Sequence, residues 1–254
     1  MATGLGKVEF GSDFVGTYDS VVWGAASLVA TLPGDLGFTS VNEGSFASTV
    51  DESGGILAIT TDTADNDNAA IIAGKFAPRD GVMNVRTRFK YSNVDCAIFV
   101  GFSETMALDT PVMPAEFATT TMTYNGTGGM VGLQYDVDGT TDDFRAVYGD
   151  GGASKSDASN GVRANATVTA DRWFEAEVIL YPDGTAECWL GDSGHVQGSS
   201  NETKMRLIKR FSAGTLLTTT DLFYAVLMIE NRSGNARVLE VDYMYGSAGR
   251  DWRY

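Results

Sequence analysis

The stretch RWFEAEVILYPDGTAECWL, residues 172–190, places two runs of alternating apolar and polar residues on either side of a turn signal. It reads as a β-hairpin. In the first run Phe174, Ala176, Val178 and Leu180 share a face, and in the second Ala186, Cys188 and Leu190 do the same, which is the period of two of half-buried strands. Pro182, Asp183 and Gly184 supply the reversal. Pro presets φ for a type I turn, Asp bonds its own backbone, and Gly accepts the left-handed conformation that closes a three-residue loop. With Tyr181 paired to Thr185, Leu180 meets Ala186, Val178 meets Cys188 and Ala176 meets Leu190, so turn chemistry and hydrophobic pattern select one register. The opposite face carries Trp173, Glu175, Glu177, Ile179, Glu187 and Trp189. Ionised carboxylates left unpaired in an apolar core cost several kcal/mol, so this face is expected to meet solvent, a groove or a partner.

Working outward from the hairpin, the same alternation recurs along the chain. Strands are predicted at 56–61, 69–75, 82–91, 94–102, 130–135, 144–148, 166–169, 205–211, 223–230 and 237–245, and sustained helical periodicity is absent. With 30 glycines among 254 residues and only 5 prolines, the fold class expected is all-β: two packed antiparallel sheets separated by long polar loops. The domain reading is an N-terminal segment over residues 1–45, acting as an edge strand or a docking arm, a β-sandwich over 46–246, and a tail over 247–254. The long loops are TDTADNDN at 61–68 and GDGGASKSDASNGVRAN at 149–165.

Composition excludes some functions. Eighteen basic and 33 acidic residues give a net charge of −15, which repels nucleic-acid phosphates and anionic lipid surfaces, so neither nucleic acid nor membrane is an expected partner. VVWGAASLVATL, at 21–32, is apolar but too short for a bilayer span, and the opening MATGLGKVEFG lacks the charged-then-apolar order of a secretory signal. A protein made and kept in a cytosol, or released by lysis, is the expectation. Cys96 and Cys188 each lie in an alternating run and are expected as buried free thiols. The single histidine, His195, lies in a Gly/Ser-rich loop with no nucleophile motif to serve.

Three acidic groupings invite a chemical reading. Asp136, Asp138, Asp142 and Asp143 begin like a calcium loop, but the sixth position from Asp136 is Thr141 and the twelfth is Val147, where glycine and a bidentate acid are needed. A hairpin tip around Asp138-Gly139 accounts for them. Asp62, Asp65 and Asp67 read as a solvated loop, with a weak cation site as the alternative. No metal and no cofactor is expected. Glu240 and Asp242 share a strand face and start the E-x-D-x-x-E or E-x-D-x-E pattern of laminarinase-like enzymes, yet Met244 and Tyr245 stand where the second glutamate is needed. Catalysis is therefore not expected. Trp173 and Trp189 beside Glu175 and Glu177 suit a sugar platform, since aromatic rings and carboxylate acceptors match a pyranose; they suit a protein interface equally well. Sequence leaves both open.

The opening GSDFVGTYDS with Phe14, the hairpin, and the closing pair FYAVLMIENRSGNARVLEVDYMYG resemble the concanavalin A-like lectin/glucanase superfamily. Its L-x-V-D-Y strand is matched by Leu239, Val241, Asp242 and Tyr243. The ending GRDWRY, Gly249 to Tyr254, is similar to that of jelly-roll proteins encoded among tailed-phage structural genes. That resemblance implies a non-enzymatic virion protein assembled in the host cytoplasm, foremost a capsid decoration or cement protein on the outside of the shell. Its partners would be the major capsid protein or other virion subunits, and it would be a homo-oligomer. Arg250, Trp252, Arg253 and Tyr254, basic and aromatic on an acidic protein, would dock it. The alternative implied is a lectin-like module of a tail or head fibre binding a surface glycan, with a glycoside hydrolase behind both.

Overall fold

Trp173–Leu180 and Ala186–Ser193 form the predicted hairpin, with Leu180 opposite Ala186, Val178 opposite Cys188 and Ala176 opposite Leu190. Tyr181 donates its N–H to the Thr185 carbonyl at 2.8 Å, Gly184 donates to the Tyr181 carbonyl at 2.9 Å, and Gly184 takes φ 81°, the left-handed value its lack of a Cβ permits. Asp183 Oδ1 accepts the Thr185 N–H at 2.8 Å.

The computed structural model describes residues 7–14, 21–22, 30–31, 38–42, 44–49, 55–106, 112–125, 128–149, 155–156, 162–167, 169–193, 205–212 and 221–249. The chain begins with β1 (Lys7–Ser12), β2 (Val21–Val22), β3 (Ala30–Thr31), β4 (Phe38–Asn42), β5 (Gly44–Ser48), β6 (Leu57–Thr61) and β7 (Asn68–Phe76). After a 3-10 turn at Pro78–Asp80 come β8 (Met83–Tyr91), β9 (Cys96–Ser103), β10 (Ala115–Ala118), β11 (Thr121–Tyr124), β12 (Met130–Asp136) and β13 (Asp143–Gly149). The remainder is β14 (Lys155–Ser156), β15 (Val162–Thr167), the hairpin as β16 and β17, β18 (Arg206–Phe211), β19 (Phe223–Asn231) and β20 (Val238–Gly249).

Two large sheets pack face to face. The first runs β18-β17-β16-β8-β20-β6-β5-β2, with β1 joining β20, and the second runs β15-β13-β12-β9-β19-β7-β4-β3. Inward residues of both make the main core, including Phe89, Tyr91, Phe102, Tyr135, Phe144 and Phe174, each burying enough apolar surface to contribute roughly 1.5–3 kcal/mol. Phe14 is buried in the same core. Cys96 and Cys188 are free and buried.

A third, three-stranded sheet, β10-β11-β14, was not foreseen from the sequence. Phe117, Met122 and Tyr124 from it cover Ala97, Phe99, Val226 and Met228 on the outer face of the second sheet. Every residue of β9, β12 and β13 is consequently buried, so those strands have no wet face. The first sheet keeps its outer face uncovered among the described residues, and the polar side of the hairpin lies there.

Strand β20 changes neighbour midway. Its start pairs with β6 (Val241 opposite Leu57) and its end with β1 (Met244 opposite Ser12), while its other edge follows β8 with a register shift between Val241 and Tyr243. That bulge inserts Asp242 as an extra residue, so Glu240, Asp242, Tyr243 and Tyr245 all reach the outer side. The strand continues to Gly249, beyond the Tyr245 at which the sequence pattern ends it, because β1 supplies a partner from the other end of the chain.

Asp136–Asp143 closes the β12–β13 hairpin. Asp136 accepts the N–H groups of Phe117 at 2.9 Å and Asp138 at 3.1 Å and pairs with Arg232 at 2.9 Å, so a guanidinium balances this acid. Arg232 also pairs with Glu230 at 2.8 Å and donates to Asn66 at 2.7 Å. In the loop at 62–67, Asp62 and Asp67 accept the N–H groups of Thr63 and Ala64, which is turn bonding.

Candidate functional site

The outer face of β8 is a row of polar residues at every second position: Asn84, Arg86, Arg88 and Lys90. Acids of the neighbouring strands flank it. On the β20 side Lys90 holds Glu240 at 2.6 Å and Arg88 holds Asp242. On the β16 side the Arg86 Nε donates to Glu175 Oε1 at 2.6 Å, and the Tyr243 hydroxyl donates to the same oxygen. Desolvation works against the Arg86 charge, but the bond and charge of Glu175 outweigh it and raise the guanidinium above its ordinary value. Tyr243 is raised by burial and by its bond to Glu175.

These pairs relocate the aromatic platform expected from sequence. Glu175 is only 4% exposed and is an anchor for Arg86 and Tyr243 rather than a surface ligand. Trp173 is 7% exposed, with the Arg88 guanidinium 4.4 Å and the Lys90 ammonium 5.1 Å from its ring centroid. Two cations over the ring leave little of it for a sugar. Trp189 is half-buried and donates its ring N–H to Glu187 at 3.1 Å, and Glu187 also faces Arg210 at 3.4 Å. Trp189 is directly opposite Glu177, whereas Trp173 is opposite Ser193, so the two rings do not form one surface. Arg250, Trp252, Arg253 and Tyr254 lie outside the described residues.

A groove of about 500 Å³ opens on this face, lined by Lys7, Glu9, Asn84, Arg86, Glu177, Tyr245 and Ser247, with Phe10, Gly11 and Gly246 in its wall. Its size is that of a small-ligand site. Tyr245 is 41% exposed, the most open tyrosine among the described residues; burial, then its bond to Asp13, push the phenol up to about 12. Its ring stands over Gly11 and leans 5.7 Å centroid to centroid from Tyr243. The Ser247 hydroxyl donates to Asn84 Oδ1 at 2.7 Å, and Lys7 pairs with Glu9 at 3.1 Å. Glu177 makes no hydrogen bond or ion pair with another described residue, and Arg86 feels its charge only through space.

Pairing puts Trp189, Glu177, Arg86 and Tyr245 in one row across the first sheet. Sequence reading found Glu177 and Trp189 but missed Arg86, Tyr245, Asn84 and Ser247. The signal for Asn84 and Arg86 was present as the polar half of the MNVRTRFKY alternation; that for Tyr245 was hidden by the bulge, which shifts the alternation by one.

The fold is shared with lectins. The structure is similar to the Emp47p carbohydrate recognition domain (TM-score 0.54, 11% identity, covering 95% of this chain and 98% of that one). It is similar to the lectin UEA-II complexed with galactose (TM-score 0.54, 9% identity, 92% of this chain and 100% of that one). A protein of unknown function from Shewanella oneidensis MR-1 is also similar (TM-score 0.53, 11% identity, 98% of this chain and 89% of that one). At 9–11% identity the likeness is one of fold, the lectin-like antiparallel β-sandwich. No protein-family model and no curated protein matches the sequence.

Proposed function

We propose that this protein is a carbohydrate-binding module, without catalytic activity, whose ligand lies in the groove on the outer face of the first sheet. One observation carries the reading: the open ring of Tyr245 stands beside Asn84, Arg86, Glu177 and Ser247 in a groove of about 500 Å³. An aromatic face stacks on the apolar face of a pyranose while planar amide, guanidinium and carboxylate groups bond its hydroxyls. The pairs that fix Arg86 on Glu175 and Ser247 on Asn84 set these groups before a ligand arrives, which lowers the entropy lost on binding. Binding rather than turnover is supported by Glu240 and Asp242, whose charges are taken by Lys90 and Arg88. The Emp47p and UEA-II structures are named for carbohydrate recognition and for a galactose complex, which adds support at the level of fold.

The test is a glycan array followed by calorimetry on the best binder, with Tyr245→Ala as the variant. Loss of one stacking ring is expected to weaken binding by roughly tenfold or more. Absence of any glycan binding, or unchanged affinity in the variant, removes the reading. Placement on a phage virion, as part of a tail or head fibre or on the capsid, is a separate proposal that rests on the resemblance of the chain's ending. Detection at a fixed ratio to the shell protein in purified particles supports it, and loss on washing refutes it.

A further inference from the structure

We infer that the groove selects an amino sugar, a short oligosaccharide carrying a free ammonium group over Glu177, in preference to a neutral or an anionic glycan. This rests on the groove being a carbohydrate site and adds the ligand's charge and length.

The charge argument comes from pairing. Both cations among the described lining residues are matched, Lys7 by Glu9 at 3.1 Å and Arg86 by the buried Glu175. Along the same face Glu187, Glu240 and Asp242 each have a basic partner as well. Glu177 has no ion-pair partner among the described residues, so it is the groove's carboxylate without a direct basic contact there. A uronic or sialic carboxylate brought here would face that charge, and the net charge of −15 behind it, with no free cation among the described lining residues to receive it. A ligand ammonium instead makes a charge-assisted hydrogen bond to Glu177, worth more than the neutral bond an N-acetyl or hydroxyl group would make.

The length argument comes from register. Trp189 is opposite Glu177, Glu177 opposite Arg86, and Arg86 opposite Tyr245. Three inter-strand steps span roughly 14 Å, so an aromatic ring stands at each end of a row with the carboxylate between them. That arrangement suits several linked sugar units laid across the strands better than a single one.

Calorimetry with glucosamine, N-acetylglucosamine and galacturonic acid oligomers of equal length tests this on the full chain. The glucosamine oligomer is expected to bind roughly ten times tighter than the N-acetylated one, with the advantage shrinking at high salt. Glu177→Gln, which breaks no bond to another described residue, should erase the advantage and bring the amino and N-acetylated oligomers to equal affinity. Asp65→Asn, which removes the same charge from an exposed loop, should keep the advantage and so separates a groove effect from attraction to the whole acidic protein. Equal binding of the amino and N-acetyl forms, tighter binding of the acid, or an advantage that survives Glu177→Gln overturns the inference. A neutral glycan that binds and depends on Tyr245 would leave the carbohydrate reading standing without it; no glycan binding at all removes both.

Discussion

Gly11 lies beneath the ring of Tyr245, so closely that a Cβ placed on Gly11 would come within 2.0 Å of the ring's Cδ1. The two meet because β1 pairs with the end of β20 with Gly11 opposite Tyr245. Gly11→Ala is expected to push the ring off its seat, costing about 1–3 kcal/mol of stability by overpacking, and to weaken glycan binding while the sandwich survives. Near-ultraviolet circular dichroism and calorimetry check this together; a variant that folds and binds like the parent would show that the ring's seat is irrelevant to the site.

The Arg86–Glu175 pair is buried on one side only. The Glu175 side chain is 6% exposed and that of Arg86 is 44% exposed, so removing the cation strands a carboxylate while removing the acid returns a guanidinium to water. Arg86→Ala should therefore cost about 2–3 kcal/mol, less than a fully buried pair, and Glu175→Gln only about 1 kcal/mol. Urea denaturation of both variants decides it, and equal losses would contradict the asymmetry.

Burial pushes the Glu230 carboxyl up to about 7 from 4.5, with Arg232 opposing and Glu116 and Asp136 adding to the rise. Asp136 is shifted the same way, again by burial first. An acid raised in the fold binds its proton more tightly there than in the unfolded chain. Its contribution is thus complete below the unfolded value and is lost as pH rises through the folded one. Stability is expected to fall between about pH 4.5 and about pH 7 by more in the parent than in Glu230→Gln, read from denaturation midpoints across that range. Parallel pH curves for the two proteins would exclude Glu230 as the source.

Cys96 and Cys188 are both fully buried, and burial pushes their thiols up. Only the thiolate reacts readily. Neither should label with an aromatic disulfide reagent in the native state, and both should label at the rate of unfolding once urea is added. Fast labelling of the folded protein would mean that the core opens locally.

Local patterning was enough for the strands that keep one clear alternation. The register of the hairpin at 172–190 follows from a three-residue loop and a period of two. The third sheet was not legible, because Ala115–Ala118 and Thr121–Tyr124 are only four residues each and such short runs carry little period. The site was half legible. Glu177 and Trp189 are on the hairpin's own polar face, but Glu175 and Trp173 share that face and are nevertheless buried, since Arg86, Arg88 and Lys90 arrive from a strand some 90 residues earlier.

The class of fold, the hairpin and its register and the inward cysteines were legible in the chain, because each depends on neighbours within a few residues; the polar alternation of β8 was present there but was not read as part of a site. Tertiary structure alone decided which acid meets which base, that β1 finishes β20, and that the bulge at Asp242 turns Tyr245 outward over Gly11. Those outcomes depend on pairing between distant segments, where the energy of many candidate partners differs little until the whole sheet is assembled. The same pairing leaves the carboxylate of Glu177 without an ion-pair partner among the described residues, and that is a property of the assembled face rather than of any stretch of the chain.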